Sequence, residues 1–450
     1  MNHNSRNKDM RFTCAIIAVH VLFFLLACHY TRIYMGDSFE YVYEALNIKR
    51  YFFFYSGNAS LPIVPEYMTQ RQPVYPLFLL SVYLFSVNNW IVLVLQNLLS
   101  VFNILYLRKT IERIGYNKKY DPLLLLLLIA YPAQFINANT IAPDILLQTL
   151  TLLYFGSFIL LLQSKDRKYM IQMSLSLIAG LMVKPVLYPF VLVHIVILIV
   201  VSAQRKIMLQ RTIVIALIPL CAVFFYNYWN YTRTGKFHFS SNQSFNAIFY
   251  FAGYFSQRDG ADSGNEFLKK ERRDIASIPD YEERYDYANE RGIDLLKQNF
   301  APYMIYHLKN SARIFIEPGK AEMDLFTGRL TYGRLYSKSQ TGFYATLNEK
   351  GLSGLREYIS NNPSLPLALL VFIFNCVRLV GLFIFFFSKR FSAIIKLFVA
   401  VLLVYFAVAA GPIANTRYFL PVSLIAIGCA VLGYQKFLKR GYQLAIHECI

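Results

Sequence analysis

The chain has 450 residues, of which 56% are apolar, 16% aromatic and only 16% charged. A typical soluble domain carries ~45–50% apolar and ~25% charged residues. This composition excludes a soluble enzyme, a disordered tail protein and a disulfide scaffold, and indicates a multi-span membrane protein. The net charge of +19 is not a nucleic-acid signature. Residues 229–363 hold 18 Lys/Arg against 16 Asp/Glu, and the surplus sits in short clusters between apolar runs, which is how topology is encoded.

Apolar runs that qualify as spans lie at 12–31, 90–107, 122–138, 144–163, 170–183, 186–203, 212–229, 364–387, 391–410 and 418–435, each close to the ~20 residues a bilayer requires. The first run follows a basic stretch and lacks a small-residue cleavage site, so it reads as an uncleaved span. The run 71–88 contains Arg71, Pro73 and Pro76. Treating it as a segment that enters the bilayer without crossing gathers 20 basic residues on one side: Arg6, Lys8, Arg11; Arg108, Lys109, Arg113, Lys118, Lys119; Lys165, Arg167, Lys168; Arg205, Lys206, Arg211; Lys389, Arg390, Lys396; Lys436, Lys439, Arg440. The positive-inside rule makes that side cytoplasmic, with the N-terminus. The expected fold class is an all-α polytopic membrane protein of about ten to eleven transmembrane helices. The expected organisation is an N-terminal membrane module (1–229) with a first outer loop at 32–89, a mainly helical outer segment at 230–363, and a C-terminal membrane module (364–450). The inner loops are short, so function belongs to the outer face.

Several residues there bear chemistry, and each has a plain structural alternative. Asp37, Glu40 and Glu44 lie at i, i+3 and i+7 and share a helical face. Asp37 reads as a general base at the lipid–water boundary, or as part of a solvated acidic face. Arg71, in Gln70-Arg71-Gln-Pro73-Val-Tyr75-Pro76, reads as a phosphate ligand or as a snorkelling anchor. Asp144 opens a span after Pro143, where a helix dipole favours an acid. Lys184-Pro185 and Arg417-Tyr418 add cations at outer span ends. Arg378, near Asn375 in mid-span, is either paired structurally or placed near a lipid headgroup. The cysteines and histidines show no metal spacing, and no Gly-rich phosphate loop is present.

Gly36-Asp37 after the first run, the Arg71–Pro76 segment, Asp144, Lys184-Pro185, Trp229-Asn-Tyr-Thr-Arg233-Thr-Gly235-Lys-Phe237 leading into Ser240-Ser241-Asn242, and Arg417-Tyr418-Phe-Leu-Pro421 follow one another in an order that resembles the GT-C membrane glycosyltransferases. The nearest branch is the protein O-mannosyltransferase and lipid A aminoarabinose transferase type, and the likeness runs over roughly residues 10–435. It implies transfer of a sugar from a polyprenyl-phosphate donor to a lipid, glycan or protein acceptor on the outer face, with inversion. It places Asp37 as the catalytic acid residue of the first loop, with Glu40, Arg71, Tyr75, Asp144, Lys184, Arg417 and Tyr418 around the substrates. The expected setting is a bacterial inner membrane, with no nucleic acid and a periplasmic site. Many members carry a second acid beside the first; here Ser38 follows Asp37, so a divalent metal is possible but not favoured. The rival readings are a flippase or transporter of lipid-linked sugars, an O-antigen-type polymerase or ligase, and a non-catalytic scaffold.

Overall fold

The computed structural model describes residues 3–205, 207–330, 351, 353, 354, 356, 358–360 and 362–448. Lys206, Cys449 and most of 331–361, part of the expected outer segment, lie outside the described residues. The first half of the chain forms α1 (His3–Tyr30), α2 (Ser38–Tyr51), α3 (Val74–Tyr83), α4 (Asn89–Glu112), α5 (Asp121–Ile129), α6 (Pro132–Ala138), α7 (Asp144–Ser164), α8 (Lys168–Leu181), α9 (Phe190–Arg205) and α10 (Leu209–Thr234). Then come α11 (Asn242–Asp259), α12 (Ala261–Ala276), α13 (Tyr281–Arg313) and α14 (Lys320–Phe326), and finally α15 (Leu365–Phe387), α16 (Ala393–Ala410) and α17 (Thr416–Glu448). Among the described residues the only isolated β-bridge pairs Tyr34 with Ile141. The chain is an all-α polytopic membrane protein.

The number of long spans is smaller than the apolar runs suggest. Among the described residues seven helices are long and apolar enough to cross a bilayer, in α1, α4, α7, α10, α15, α16 and α17. An eighth exists only if α5 and α6, bent by 66° at their junction, are counted together. Pro132 begins α6, and its missing N–H and ring end the preceding helix. Every residue of α6 is buried, and the freed polar groups find protein partners. Asn139 donates to the Phe135 carbonyl at 2.8 Å, and Gln96 donates to the Thr140 carbonyl at 2.7 Å. That is the condition under which broken backbone is tolerated at membrane depth. The expected spans at 170–183 and 186–203 become helices of 14 and 16 residues, because Pro185 and Pro189 break the path between them. The 71–88 run holds a ten-residue helix, α3, and ~15 Å of helix does not cross ~30 Å of hydrocarbon.

α17 is the central helix. Its membrane segment is almost wholly buried, packed among α4, α7, α15 and α16. Against α15 the backbones nearly touch, since a Cβ on Gly433 would overlap the Gly381 carbonyl; small residues permit such approach between helices in lipid. At the end of the bundle where α1 begins, Arg108 takes Asp121 bidentately (2.9 and 2.7 Å) and Asp9 at 2.7 Å. Lys118 joins Asp9 at 2.8 Å.

At the opposite end, α11, α12 and α13 build a small helical unit around Ile248, Phe251, Tyr254, Ile275, Leu295 and Tyr303. Within the outer segment, expected to be mainly helical, the long α13 breaks at Asn299 (φ −124°, ψ 21°) ahead of Pro302, as the residues before a proline must leave ideal helix.

Candidate active site

The site is assembled from four distant stretches of chain. After α1 the backbone turns at Thr31 (φ 54°) and runs extended, so that Ile141 N–H donates to the Ile33 carbonyl at 2.8 Å. Ser38 Oγ donates to the Ile141 carbonyl at 2.6 Å and accepts from Met35 N–H at 2.7 Å. The serine that stands where a second acid was sought is therefore fully buried and works as a clamp. It fixes Asp37, the N-cap residue of α2, beside Asp144 at the start of α7.

A second clamp positions Arg71. Asn230, fully buried, donates to the carbonyls of His238 and Phe239 at 2.9 and 3.2 Å. Arg233 lies over the Trp229 ring at 3.6 Å, and Gly235 ends α10 with φ +73°, a value open to glycine. The chain that follows is stitched to the stretch before Arg71. Thr69 meets His238 at 2.9 Å, Ser241 donates to the Glu66 carbonyl at 2.8 Å, and Asn242 reaches the Gln70 carbonyl at 3.3 Å. The Trp229–Asn242 motif is thus a brace for the Arg71 loop.

Arg417, at the start of α17, closes the arrangement. Its Nη1 and Nη2 hold both oxygens of Asp37 (3.0 and 2.8 Å), while Nε donates to Asp144 at 2.5 Å. Lys184 donates to the other Asp144 oxygen at 2.9 Å and lies 4.8 Å from the centre of the Tyr418 ring. Arg71 pairs with Glu40 at 2.5 Å and approaches Asp37 at 3.8 Å, above the Tyr41 ring at 5.0 Å. Three carboxylates and three cations therefore form one network. Burial pushes the Asp37 carboxyl up, but the charges of Arg417 and Arg71 outweigh it and hold the group well below the usual carboxylate range. For Glu40 burial prevails over Arg71 and the value is raised.

Beside the network opens a cavity of about 410 Å3. Arg71, Lys184 and Tyr418 line it, with Tyr188, Tyr250, Asn242, Asn246 and Phe249. Lys184 has three donors and Arg71 five, and the carboxylates occupy only part of them. An anion in this cavity would meet the remainder.

Of the expected site residues, Asp37, Glu40, Tyr75, Asp144 and Arg417 do not line this cavity. Tyr75 is fully buried, donates to Gln96 at 2.7 Å and stands edge-on to Tyr41 at 5.1 Å, so it supports the floor under Arg71 and does not reach the cavity. Asp144 is likewise fully buried behind Lys184 and Arg417 and acts by neutralising them. Glu40 is half-buried against Arg71 and does not line the cavity. Arg378 is buried 4.5 Å from the Tyr131 ring centre, next to a void of about 20 Å3, with no ion pair among the described residues. Among the described residues no group of three or more His, Cys, Asp or Glu could hold a metal. Sequence reasoning missed Tyr41, Tyr188, Tyr250, Asn246 and Phe249; aromatic and amide residues are too common here to stand out.

Glu44 was read as the third member of the acidic face. It is buried, one oxygen has no hydrogen-bond partner, and burial pushes it up to about 8, with Arg233 and Arg71 offsetting only part. A raised folded-state value means that stability falls as pH climbs from the unfolded value of ~4.3 through the folded one, by up to ~1.4 kcal/mol per pH unit. Glu44→Gln is therefore expected to match the wild type near pH 4 and to unfold at higher temperature than it at pH 8. Melting curves of the detergent-purified protein across that range check this, and identical pH dependence in both forms would contradict it.

No family model matches the chain, and no curated protein does. Solved structures similar to it include two of one protein. They are ArnT from Cupriavidus metallidurans in the apo state (13% identity, covering 95% of this chain and 77% of that one, TM-score 0.38) and the same protein bound to undecaprenyl phosphate (13%, 93% and 77%, TM-score 0.37).

Proposed function

We propose that the protein is an inverting glycosyltransferase that moves a sugar from a polyprenyl-phosphate carrier to an acceptor at the outer face of a bacterial inner membrane. The observation that carries this reading is the convergence of Asp37, Arg71, Asp144, Lys184 and Arg417 at one end of the spans, beside a cavity lined by two of the cations. The basic clusters at the other end make this the outer side. A donor with a long apolar tail keeps its phosphate at the interface, so its enzyme needs cations at headgroup depth.

In this reading Arg71 and Lys184 bind the phosphate. The guanidinium fork matches phosphate geometry, and Lys184 adds a point charge. Neutralised in this way, the phosphate leaves without an acid. The acceptor hydroxyl needs a base, and Asp37 is ionised at any physiological pH. Tied to two guanidinium groups it is a weak base. A phosphate arriving beside Arg71 adds negative charge nearby and raises the proton affinity of Asp37, so the base strengthens when the donor is present. Inversion follows from direct attack on the face opposite the phosphate. The chain's own cations neutralise the leaving group, so a divalent metal is not favoured.

Arg71→Ala tests the donor half. It is expected to weaken binding of undecaprenyl phosphate to the detergent-purified protein by about tenfold or more, the ~1.5–3 kcal/mol of a charged hydrogen bond. An unchanged affinity returns Arg71 to the role of an interfacial anchor. Incubation with a polyprenyl-phosphate sugar and envelope extracts, read by mass spectrometry, tests the whole reaction. Absence of product from wild-type protein with every donor and extract offered would end the enzyme reading.

A further inference from the structure

A second cavity, of about 490 Å3, lies next to the first. Asn242, Asn246 and Phe249 line both, standing at i, i+4 and i+7 on one face of α11. Each volume falls in the ~300–1,000 Å3 range of small-ligand sites. The far wall comes from α13 and the 64–70 stretch, and it offers the half-buried rings of Tyr67 and Tyr285. Glu66 is fixed there by Arg284, whose Nε and Nη2 reach the same oxygen at 2.8 and 2.6 Å. The other Glu66 oxygen is buried with no donor. A buried acceptor in that state is costly until something donates to it. Among the described residues Glu66 and Arg284 are the only charged ones in the lining, and they cancel, so this lining has no net pull on phosphates or nucleic acids.

We infer that this cleft seats the acceptor and that the acceptor is a saccharide; the inference rests on the glycosyltransferase reading above. A pyranose presents apolar C–H faces that lie on aromatic rings and a rim of hydroxyls that donate to carboxylate and amide oxygens. Tyr67 and Tyr285 supply the first need; Glu66, Asn242 and Asn246 supply the second. A saccharide lying here sends its end past Asn242 and Asn246 into the cavity of Arg71 and Lys184. There its hydroxyl oxygen bonds to the anomeric carbon of the donor. The carbon–oxygen bond to phosphate breaks with its electron pair leaving on the phosphate, and the hydroxyl proton passes to Asp37.

The test uses two variants that spare the first cavity. Val64 is 37% exposed and lines only the second cavity, so Val64→Trp fills the cleft from the surface. Glu66→Gln removes the charge of the free acceptor at constant shape. Saturation-transfer NMR on the full-length protein in detergent would be run with neutral oligosaccharides of glucose, mannose and N-acetylglucosamine, with a glycolipid bearing the same sugars, and with serine-rich peptides. Binding of at least one sugar is expected, weakened about tenfold or more by either variant, as for a lost charged hydrogen bond, while undecaprenyl phosphate affinity is unchanged. Binding of the free sugar, or only of the lipid-borne one, supports the inference and names the source. No sugar binding at millimolar concentration, equal binding by wild type and both variants, or binding of peptides alone overturns it. The donor reading fails separately: sugar binding lost in these variants, with undecaprenyl phosphate binding intact in Arg71→Ala, would leave the cleft standing without it.

Discussion

Asp37→Asn is expected to lower sugar transfer at least about a hundredfold, in the ~10²–10⁴ range of a lost general base, while the protein inserts and binds undecaprenyl phosphate as before. Asparagine keeps the shape and one carbonyl oxygen for Arg417, so the clamp to α17 loosens without emptying. What disappears is the capacity to take a proton at Asp37, which, like Glu40 at 24%, keeps part of its side chain accessible. Asp37 keeps 18% of its side chain accessible, whereas Asp144 has none. Transfer measured with saturating donor, with donor binding assayed in parallel, separates the two effects. Near-normal turnover in this variant would take the base role from Asp37 and leave it a structural counter-ion.

The largest effect on stability is expected at Arg417. One guanidinium from the C-terminal module neutralises two carboxylates of the N-terminal one, and all its geometry is used: both Nη atoms on Asp37 and Nε on Asp144. Arg417→Met removes the cation at similar length and leaves Asp37 to Arg71 and Asp144 to Lys184. Truncating one partner of a buried ion pair costs ~3–5 kcal/mol, since the remaining charge loses its compensation. The variant should therefore melt well below wild type in detergent and lose transfer entirely. Arg417→Lys should recover little, because an ammonium has no planar fork to serve three oxygens at once. A melting temperature of Arg417→Met equal to wild type would show that the acids find other partners and that the network is not held together by this residue.

Much of this arrangement is visible in the bare chain because charge beside apolar runs is expensive and therefore stands out. Asp37, Arg71, Asp144, Lys184 and Arg417 are legible for that reason, and they come together in space. What stays hidden depends on long-range partners. Tyr75 shares a motif with Arg71, yet its hydroxyl is claimed by Gln96 on α4, and no local pattern reveals such a pairing. Ser38 looks like a missing acid until Ile141 is seen across from it. Helix length is hidden in a different way. Hydropathy averages over Pro132, Pro185 and Pro189, so runs of adequate apolarity read as full spans although the backbone breaks within or beside them. The cleft between α11 and α13 is lined by ordinary tyrosines, asparagines and a single ion pair, and only their juxtaposition singles them out.

The position of Arg417 in the chain has a consequence for biogenesis. The ribosome makes Asp37 first and Asp144 next, and hundreds of residues pass before their common counter-ion is synthesised. Until α17 enters the bilayer, both acids depend on Arg71 and Lys184 alone, and the central seat of the bundle stands empty. A nascent chain that stalls or is clipped ahead of residue 416 therefore carries an unbalanced carboxylate pair at its core.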